Sequence, residues 1–430
     1  MTPRLIFVAH AVAPGRPGAE ALVNAELLRA LAAHWPGSVT VISGGEAPTL
    51  ADGEPLSALP GWRVHALGEC GASEGSPSLL SVLAQAGVRR IRRGGPASIP
   101  ARLAERGVYL GTGLGLKSAA WTRAAARALA DELEREPGAV VYSRALPFSS
   151  ILAADAVRRR RRFRWLVNLN DPLPPEIWPG QYALDPRAGR RMRQAMAALL
   201  PRVDGFTFPS EQLRGIEVGA FPEMARTPFE IVRHVAGPAG PAEDGREERA
   251  LHLAFAGTLR RDRCRPELAE ALARLRAREE VRISFFVPHS MPALAGYAEG
   301  LPAATRVVVG LPEEELRREL ARADVLLDPE SEVDGPLLMT KLASYSAYGK
   351  PVWSLCARGG TTWELLGATG WGWRSALGEP ESAAATLAEI LDDRDSGRLA
   401  RRSASPAVAD LFSPRRQVEA LLRLVERVAA

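Results

Sequence analysis

A chain of 430 residues is more than one hydrophobic core ordinarily organises, and it suits two domains of about 200 residues each. With 46% apolar residues, 24% charged residues and a formal charge of +5, the composition excludes wholesale disorder and leans mildly toward anionic partners such as nucleotides, phosphates or acidic lipid. Cys70, Cys264 and Cys356 stand far apart without metal-ligand spacing, so neither a disulfide framework nor a zinc site is indicated, and no run of about 18 apolar residues occurs. The expectation is a cytoplasmic chain with no signal peptide and no transmembrane helix.

In chain order, RLIFVAHAV predicts a buried strand, the Gly/Pro-rich loop APGRPGAE follows, and AEALVNAELLRALAAHW has apolar residues at helical spacing. SVTVIS and WRVHAL predict further strands, LLSVLAQAGVRRIRR and SAAWTRAAARALADELERE helices, and AVVYS, FRWLVNL and GFTFPS later short strands. After IVRHV, the aperiodic stretch AGPAGPAEDGREER predicts a linker. A second alternating series follows: LHLAFAG, PELAEALARLRA, VRISFFV, TRVVVG, PEEELRRELARA, DVLLDP, a helix in GPLLMTKLASYSAYG, PVWSL, and a helix at TWELLGATG. Ser413 as N-cap and Pro414 at the first helical position open a final helix. The implied division is an N-terminal Rossmann-like domain at 1–235, a linker at 236–249, a C-terminal Rossmann-like domain at 250–405, and a C-terminal helix at 406–430 that packs back on the first domain. Strands that are continuous apolar runs between helices imply α/β architecture: two doubly wound parallel sheets with a ligand crevice at the strands' carboxyl ends.

Several stretches carry candidate chemistry. Lys341, Ser344 and Tyr345 share one helical face, and a helix opening at a strand's carboxyl end offers amides and a positive dipole to an anion; the same spacing also suits a solvated lysine. The loop TLRRDRCRP holds Arg260, Arg261, Arg263 and Arg265, whose guanidinium groups match phosphate geometry or simply face water. VRRRRRFRW, with Arg158–Arg162, reads as a solvated helix end or as a contact with anionic lipid, to which RRIRR at 89–93 would add; no nucleic-acid module accompanies it. GTGLG at 111–115 lacks the preceding strand and the later acidic residue of a dinucleotide fingerprint and is read as a loop. The histidines are scattered, His10 and His234 ending strand-like runs, and no His-x-Glu or Asp-x-Asp pair suggests a metal.

DVLLDPESEVDGPLLMTKLASYSAYGKPVWSLCARGGTTWELL resembles the donor-nucleotide segment of GT-B glycosyltransferases, in particular family-4-like bacterial enzymes of polysaccharide assembly. The match rests on Lys341, Leu342, Tyr345, Gly349, Pro351, Val352, Gly359 and Gly360. The family's ribose-binding carboxylate falls on Ser344, and its first acidic position falls on Pro336, with Asp334 and Glu332 nearest. AFAGTLRRDRCRPELAEAL is similar to the Gly-x-Leu strand-loop-helix of the same enzymes, whose loop carries a basic residue for the donor phosphates. The resemblance implies that Gly257, Thr258, Arg265, Asp334, Ser344, Tyr345, Gly359, Gly360 and Thr361 bind the donor, and that Arg263 and Lys341 neutralise the departing diphosphate. VAHAVAPGRPGAE, VYSRALPFSS and LVNLNDPLPP resemble acceptor-side segments and place Gly15, Gly18, Arg144 and Asp171 there. The implied activity is transfer from a UDP- or GDP-linked sugar to a saccharide or lipid-linked acceptor, retaining and without a metal or other cofactor. A UDP-sugar 2-epimerase-like enzyme and a degenerate, non-catalytic nucleotide-sugar-binding subunit are the alternatives.

Overall fold

The structure is a computed structural model that describes residues 4–12, 19–44, 49, 54–67, 116–174, 177–178, 186–238, 250–275 and 280–429. Gly15, Gly18, Cys70, RRIRR at 89–93, GTGLG at 111–115 and residues 239–249 of the expected linker lie outside the described residues. The chain divides into two compact units, Met1–Arg233 with Gln417–Ala430, and His234–Arg416.

Seven parallel strands form the sheet of the first unit: β1 (Leu5–Ala9), β2 (Val39–Ser43), β3 (Trp62–Ala66), β4 (Val140–Arg144), β5 (Arg164–Asn168), β6 (Gly205–Phe208) and β7 (Phe229–Ile231), in the order β3-β2-β1-β4-β5-β6-β7. Every residue of β1, β2 and β4 is buried, as expected where helices cover both faces of a parallel sheet. The C-terminal helix Pro414–Ala429 belongs here: Ser413 Oγ accepts from Arg416 N at 3.3 Å, and Val418, Leu421, Leu424 and Val425 are buried. Its approach depends on Gly205, where a Cβ would lie 2.8 Å from Leu166 Cδ2 and 3.2 Å from Leu424 Cδ1. Arg164 donates to the terminal carbonyls of Val428 (3.0 Å) and Ala429 (2.7 Å), placing a cation at the negative end of the helix.

The second unit has six parallel strands, β8 (Leu251–Ala256), β9 (Val281–Val287), β10 (Ala304–Val309), β11 (Val325–Pro329), β12 (Val352–Cys356) and β13 (Trp373–Ala376), in the order β10-β9-β8-β11-β12-β13. Leu253, Phe255, Phe285, Leu327 and Trp353 lie at the centre of its core, and Trp353 Nε1 donates to Ser375 Oγ at 2.9 Å. The order of strands reverses between β1 and β4 in one unit and between β8 and β11 in the other, so each sheet has one crevice-forming switch point.

Three details differ from the sequence expectation. The helix expected across GPLLMTKLASYSAYG covers only Thr340–Ser346, because a short helical turn at Glu332–Asp334 ends at Gly335 and Pro336 cannot supply the N–H that would continue it. The segment 406–430 is two helices, Pro406–Leu411 and Pro414–Ala429, and the first stays with the second unit. β13 was not anticipated, since WRSA alone has no apolar run to mark it. Among the described residues no helix is long and apolar enough to cross a membrane.

One buried acid in the first unit affects stability. Glu217 is 0% exposed; its Oε1 accepts from Leu173 N at 2.6 Å while Oε2 has no partner among the described residues, and burial raises its carboxyl well above the ordinary value of 4.5 despite that bond. The folded chain therefore keeps a proton that the unfolded chain releases, and this group draws stability down as pH rises above the unfolded value. Glu217→Gln preserves the acceptor and removes the titration. Its melting temperature is expected to fall less between about pH 5 and about pH 8 than that of the wild type, and parallel melting curves across that range would show that Glu217 ionises normally.

Candidate functional site

In the second unit, the carboxyl ends of β8 and β11 and the helix Thr340–Ser346 bring five charged side chains together. Asp328 (0% exposed), Glu330 (1%) and Asp334 (1%) are buried at the end of β11 and in the turn after it. Lys341 Nζ lies 3.1 Å from Asp328 Oδ1, and among the described residues neither atom has any other hydrogen-bond partner; the ammonium also sits over the Phe255 ring, 4.7 Å from its centroid. Asp328 Oδ2 accepts from Ser354 Oγ at 3.0 Å. Arg263 grips Asp334 through two parallel bonds, Nε to Oδ2 at 2.8 Å and Nη2 to Oδ1 at 2.7 Å. Asp334 in turn caps its own turn, accepting from Ser331 N at 2.8 Å and Ser331 Oγ at 2.7 Å.

Electrostatics follow from this packing. Burial alone would raise the Asp334 carboxyl, but the Arg263 bonds and charge and the Ser331 bonds outweigh it and hold the group at about 2. Burial, then the Asp328 charge, then that of Asp334 push Glu330 well above the carboxylate range against the bond from Thr362 Oγ1. Burial also lowers the Lys341 ammonium; Asp328 opposes the shift and the Arg263 charge adds to it. Within the buried cluster Lys341 is matched to Asp328 and Arg263 to Asp334. Arg260 is paired with Asp262 (2.9 Å) and also reaches Ser331 (3.3 Å) and Asp334 (3.4 Å), whereas exposed Arg261 has no ion pair among the described residues.

The other expected donor residues occupy varied positions. Gly257 has φ +127, a conformation that favours glycine, and Thr258 beside it is exposed. Arg265 is engaged with Glu267 (2.6 Å) and the Asp262 carbonyl (3.3 Å), and Glu267 also accepts from Gly378 N, which makes that arginine a strut between loops. Tyr345 is 1% exposed; its hydroxyl accepts from Ala256 N at 3.0 Å and donates to Leu327 O at 3.2 Å, so it pins β8 to β11 and faces no ligand. Ser344 is half-buried, and its hydroxyl makes no hydrogen bond among the described residues. Gly359 has φ +69, and at Gly360 a Cβ would meet Gly335 O at 2.9 Å and Ala357 O at 3.0 Å. Thr361 is held against the same turn, its N–H on Gly335 O (2.6 Å) and its hydroxyl on Pro336 O (2.9 Å). His234 is buried, with Nε2 2.9 Å from Leu338 O.

In the first unit, a second polar constellation lies at the ends of β1, β4 and β5. Arg144 is 2% exposed; its Nε donates to Asn24 Oδ1 and its Nη1 to Tyr142 OH at 3.0 Å. Asn24 Nδ2 donates to Ala11 O at 2.7 Å, and Asn170 Nδ2 lies 3.0 Å from both carboxylate oxygens of Glu20. Burial raises Glu20 to about 8, assisted by the Asp171 charge and opposed by Arg144, Asn170 and Asn24. His10 stacks on Trp121 with ring centroids 4.3 Å apart and bonds Ser149 Oγ at 2.8 Å, a well-packed structural histidine. Sequence reasoning placed Arg144 and Asp171 here but missed Asn24, Asn168 and Asn170, and in the second unit it missed Asp328 and Glu330. Acids directly after the apolar run VLL were the available signal for those two.

No family model matches the chain, and no curated protein does. Solved structures match it over nearly the whole length: a sucrose-phosphate synthase from Thermosynechococcus elongatus (13% identity, TM-score 0.66, 99% of each chain) and Anabaena HepE in complex with UDP and glucose (12%, 0.62, 99% of this chain and 100% of that one). A glycosyltransferase from Rickettsia africae matches at 11% identity with a TM-score of 0.63 over 99% of this chain and 98% of that one. The chain has the GT-B fold. At such identities it is the path of the backbone that is alike, and within the GT-B fold the chemistry must be argued from this chain's own side chains.

Proposed function

We propose that the chain is a glycosyltransferase that takes a sugar from a nucleotide donor, UDP-linked in preference to GDP-linked, and passes it to a hydroxyl of a saccharide or lipid-linked acceptor in bacterial glycan assembly. The observation that carries this reading is the switch point of the second unit. There the Arg260–Arg263 loop, the Lys341 helix and the tight Gly359–Gly360 turn into the helix Thr361–Thr369 converge at the carboxyl ends of β8, β11 and β12. Such a site suits a diphosphate: guanidinium donors, a lysine and helix amides offset the charge that develops as the glycosidic bond breaks, and no metal is required in this reading. UDP is preferred because HepE, a structural neighbour, was solved with UDP and glucose. Arg260 and Arg261 make the first phosphate contacts, and Arg263 and Lys341 set the field beneath them.

A second reading has a specific observation in its favour. Ser344 stands where a carboxylate would hold the ribose, and both buried cations are already matched by carboxylates, which suits a subunit that binds a nucleotide sugar without turnover. Peripheral contact with anionic lipid belongs to the proposal as well, and it narrows to Arg160, Arg161 and Arg162. Arg158 is spent on Asp204 and Arg202 O, and Arg159 on Asp155.

Titration calorimetry with UDP and GDP tests the reading. UDP is expected to bind with a Kd of about 10 μM, inside the ordinary range of substrate constants, and more tightly than GDP. Absence of heat with either nucleotide at millimolar concentration would remove both readings. Binding of UDP-glucose without release of UDP in the presence of saccharide acceptors would leave the non-catalytic one.

A further inference from the structure

Arg144 is a buried cation with no counter-ion among the described residues. Its hydrogen-bond partners, the Asn24 amide oxygen and the Tyr142 hydroxyl, are neutral, and among the described residues no carboxylate lies within ion-pair distance of it. A guanidinium taken out of water without an ionised partner is costly, and such groups are rare except where a ligand completes them. The Glu20 carboxyl acts on it electrostatically, but burial raises that group to about 8.

A second, independent gap adjoins the first. In the sheet register Arg144 pairs with Asn168 of β5, and Asn168 pairs with Thr207 of β6, so the three side chains share one face. Asn168 Nδ2 lies 3.0 Å from Thr207 Oγ1 and 3.4 Å from Thr207 O; the carbonyl can only accept, which sets the orientation of the amide, and Thr207 Oγ1 lies 2.8 Å from Tyr142 OH. Asn168 Oδ1 is then left buried with no donor among the described residues. An unmatched cation and an unmatched acceptor on adjacent strands, at the carboxyl end of the sheet beside its switch point, form a half-satisfied polar network.

We infer that this end of the first unit is an anion subsite for the acceptor: Arg144 receives a carboxylate or phosphate carried by a hydroxylated ligand, and a hydroxyl of that ligand or its bound water donates to Asn168 Oδ1. The acceptor class is thereby an acidic or phosphorylated saccharide. This rests on the transferase reading for the word acceptor, while the subsite rests on the first unit alone.

The test is calorimetry on the full chain with glucose 6-phosphate, glucuronate and glucose as probes. One or both anionic sugars should bind at least about tenfold more tightly than glucose, the phosphate and carboxylate arms telling which group is preferred. Arg144→Gln should lose at least about tenfold of that preference. Asn168→Asp supplies an internal carboxylate beside Arg144; it should abolish the preference while its melting temperature does not drop, which keeps the test decisive if Arg144→Gln fails to fold. Equal affinity for glucose, no binding of any probe, unchanged anion binding in Asn168→Asp, or an equal loss in the surface variant Arg160→Gln would each overturn the inference. A UDP titration of the wild type separates this from the functional reading. Anionic sugar binding without UDP binding removes only the latter, and UDP binding without anionic sugar binding removes only the subsite.

Discussion

Lys341→Met is expected to destabilise the chain by about 3–5 kcal/mol, the cost of removing one partner from a buried ion pair. The reason lies in what remains: Asp328 is 0% exposed and would keep only the Ser354 hydroxyl against its charge, with Glu330 and Asp334 nearby as further acids. At about 2–4 °C per kcal/mol for a unit of this size, the melting temperature should drop by roughly 10 °C. Pairing the change with Asp328→Asn removes the stranded charge, and the double variant should regain most of the loss. A Lys341→Met protein that melts within about 2 °C of wild type would mean that the 3.1 Å pair contributes nothing and that the ammonium is free for a ligand. Nucleotide affinity should be compared at a temperature where both variants are folded.

Ser344→Glu is expected to raise affinity for UDP by about 10- to 100-fold. A carboxylate there could accept two hydrogen bonds from ribose hydroxyls where serine offers one neutral contact, and a charged hydrogen bond is worth about 1.5–3 kcal/mol. The position can take the change, since Ser344 is half-buried and its hydroxyl is committed to no neighbour among the described residues. UMP should gain as UDP does, because the contact is to ribose. An affinity unchanged for both nucleotides would show that the ribose does not lie over the Thr340–Ser346 helix and would favour a differently placed ligand.

Much of the architecture was legible in the residues. Runs such as LIFVA, VTVIS and VVYSR are continuous apolar or nearly apolar stretches bounded by turns, and each became a buried parallel strand. Ser413 and Pro414 marked a helix start to the residue. Weaker local signals failed: β13 is four residues with two polar side chains, and the helix before GKPVW was drawn too long because its apolar rhythm continued through Gly335–Pro336, where the backbone cannot.

Site residues were legible as types and positions but not as states. That Arg263, Lys341 and Asp334 belong to one region followed from pattern; that Arg263 and Lys341 are already held by carboxylates did not. Likewise, nothing in VYSRALP or LVNLNDP shows that Arg144 lacks a counter-ion or that Asn168 lacks a donor. By itself the sequence determined the alternation of strands and helices, the two-unit division and the loops that carry chemistry, because those depend on local periodicity and turn residues. Only the tertiary structure decided which charges cancel, since that depends on partners from different elements brought within about 3 Å, where burial sets both the strength of a pair and the cost of leaving a group alone.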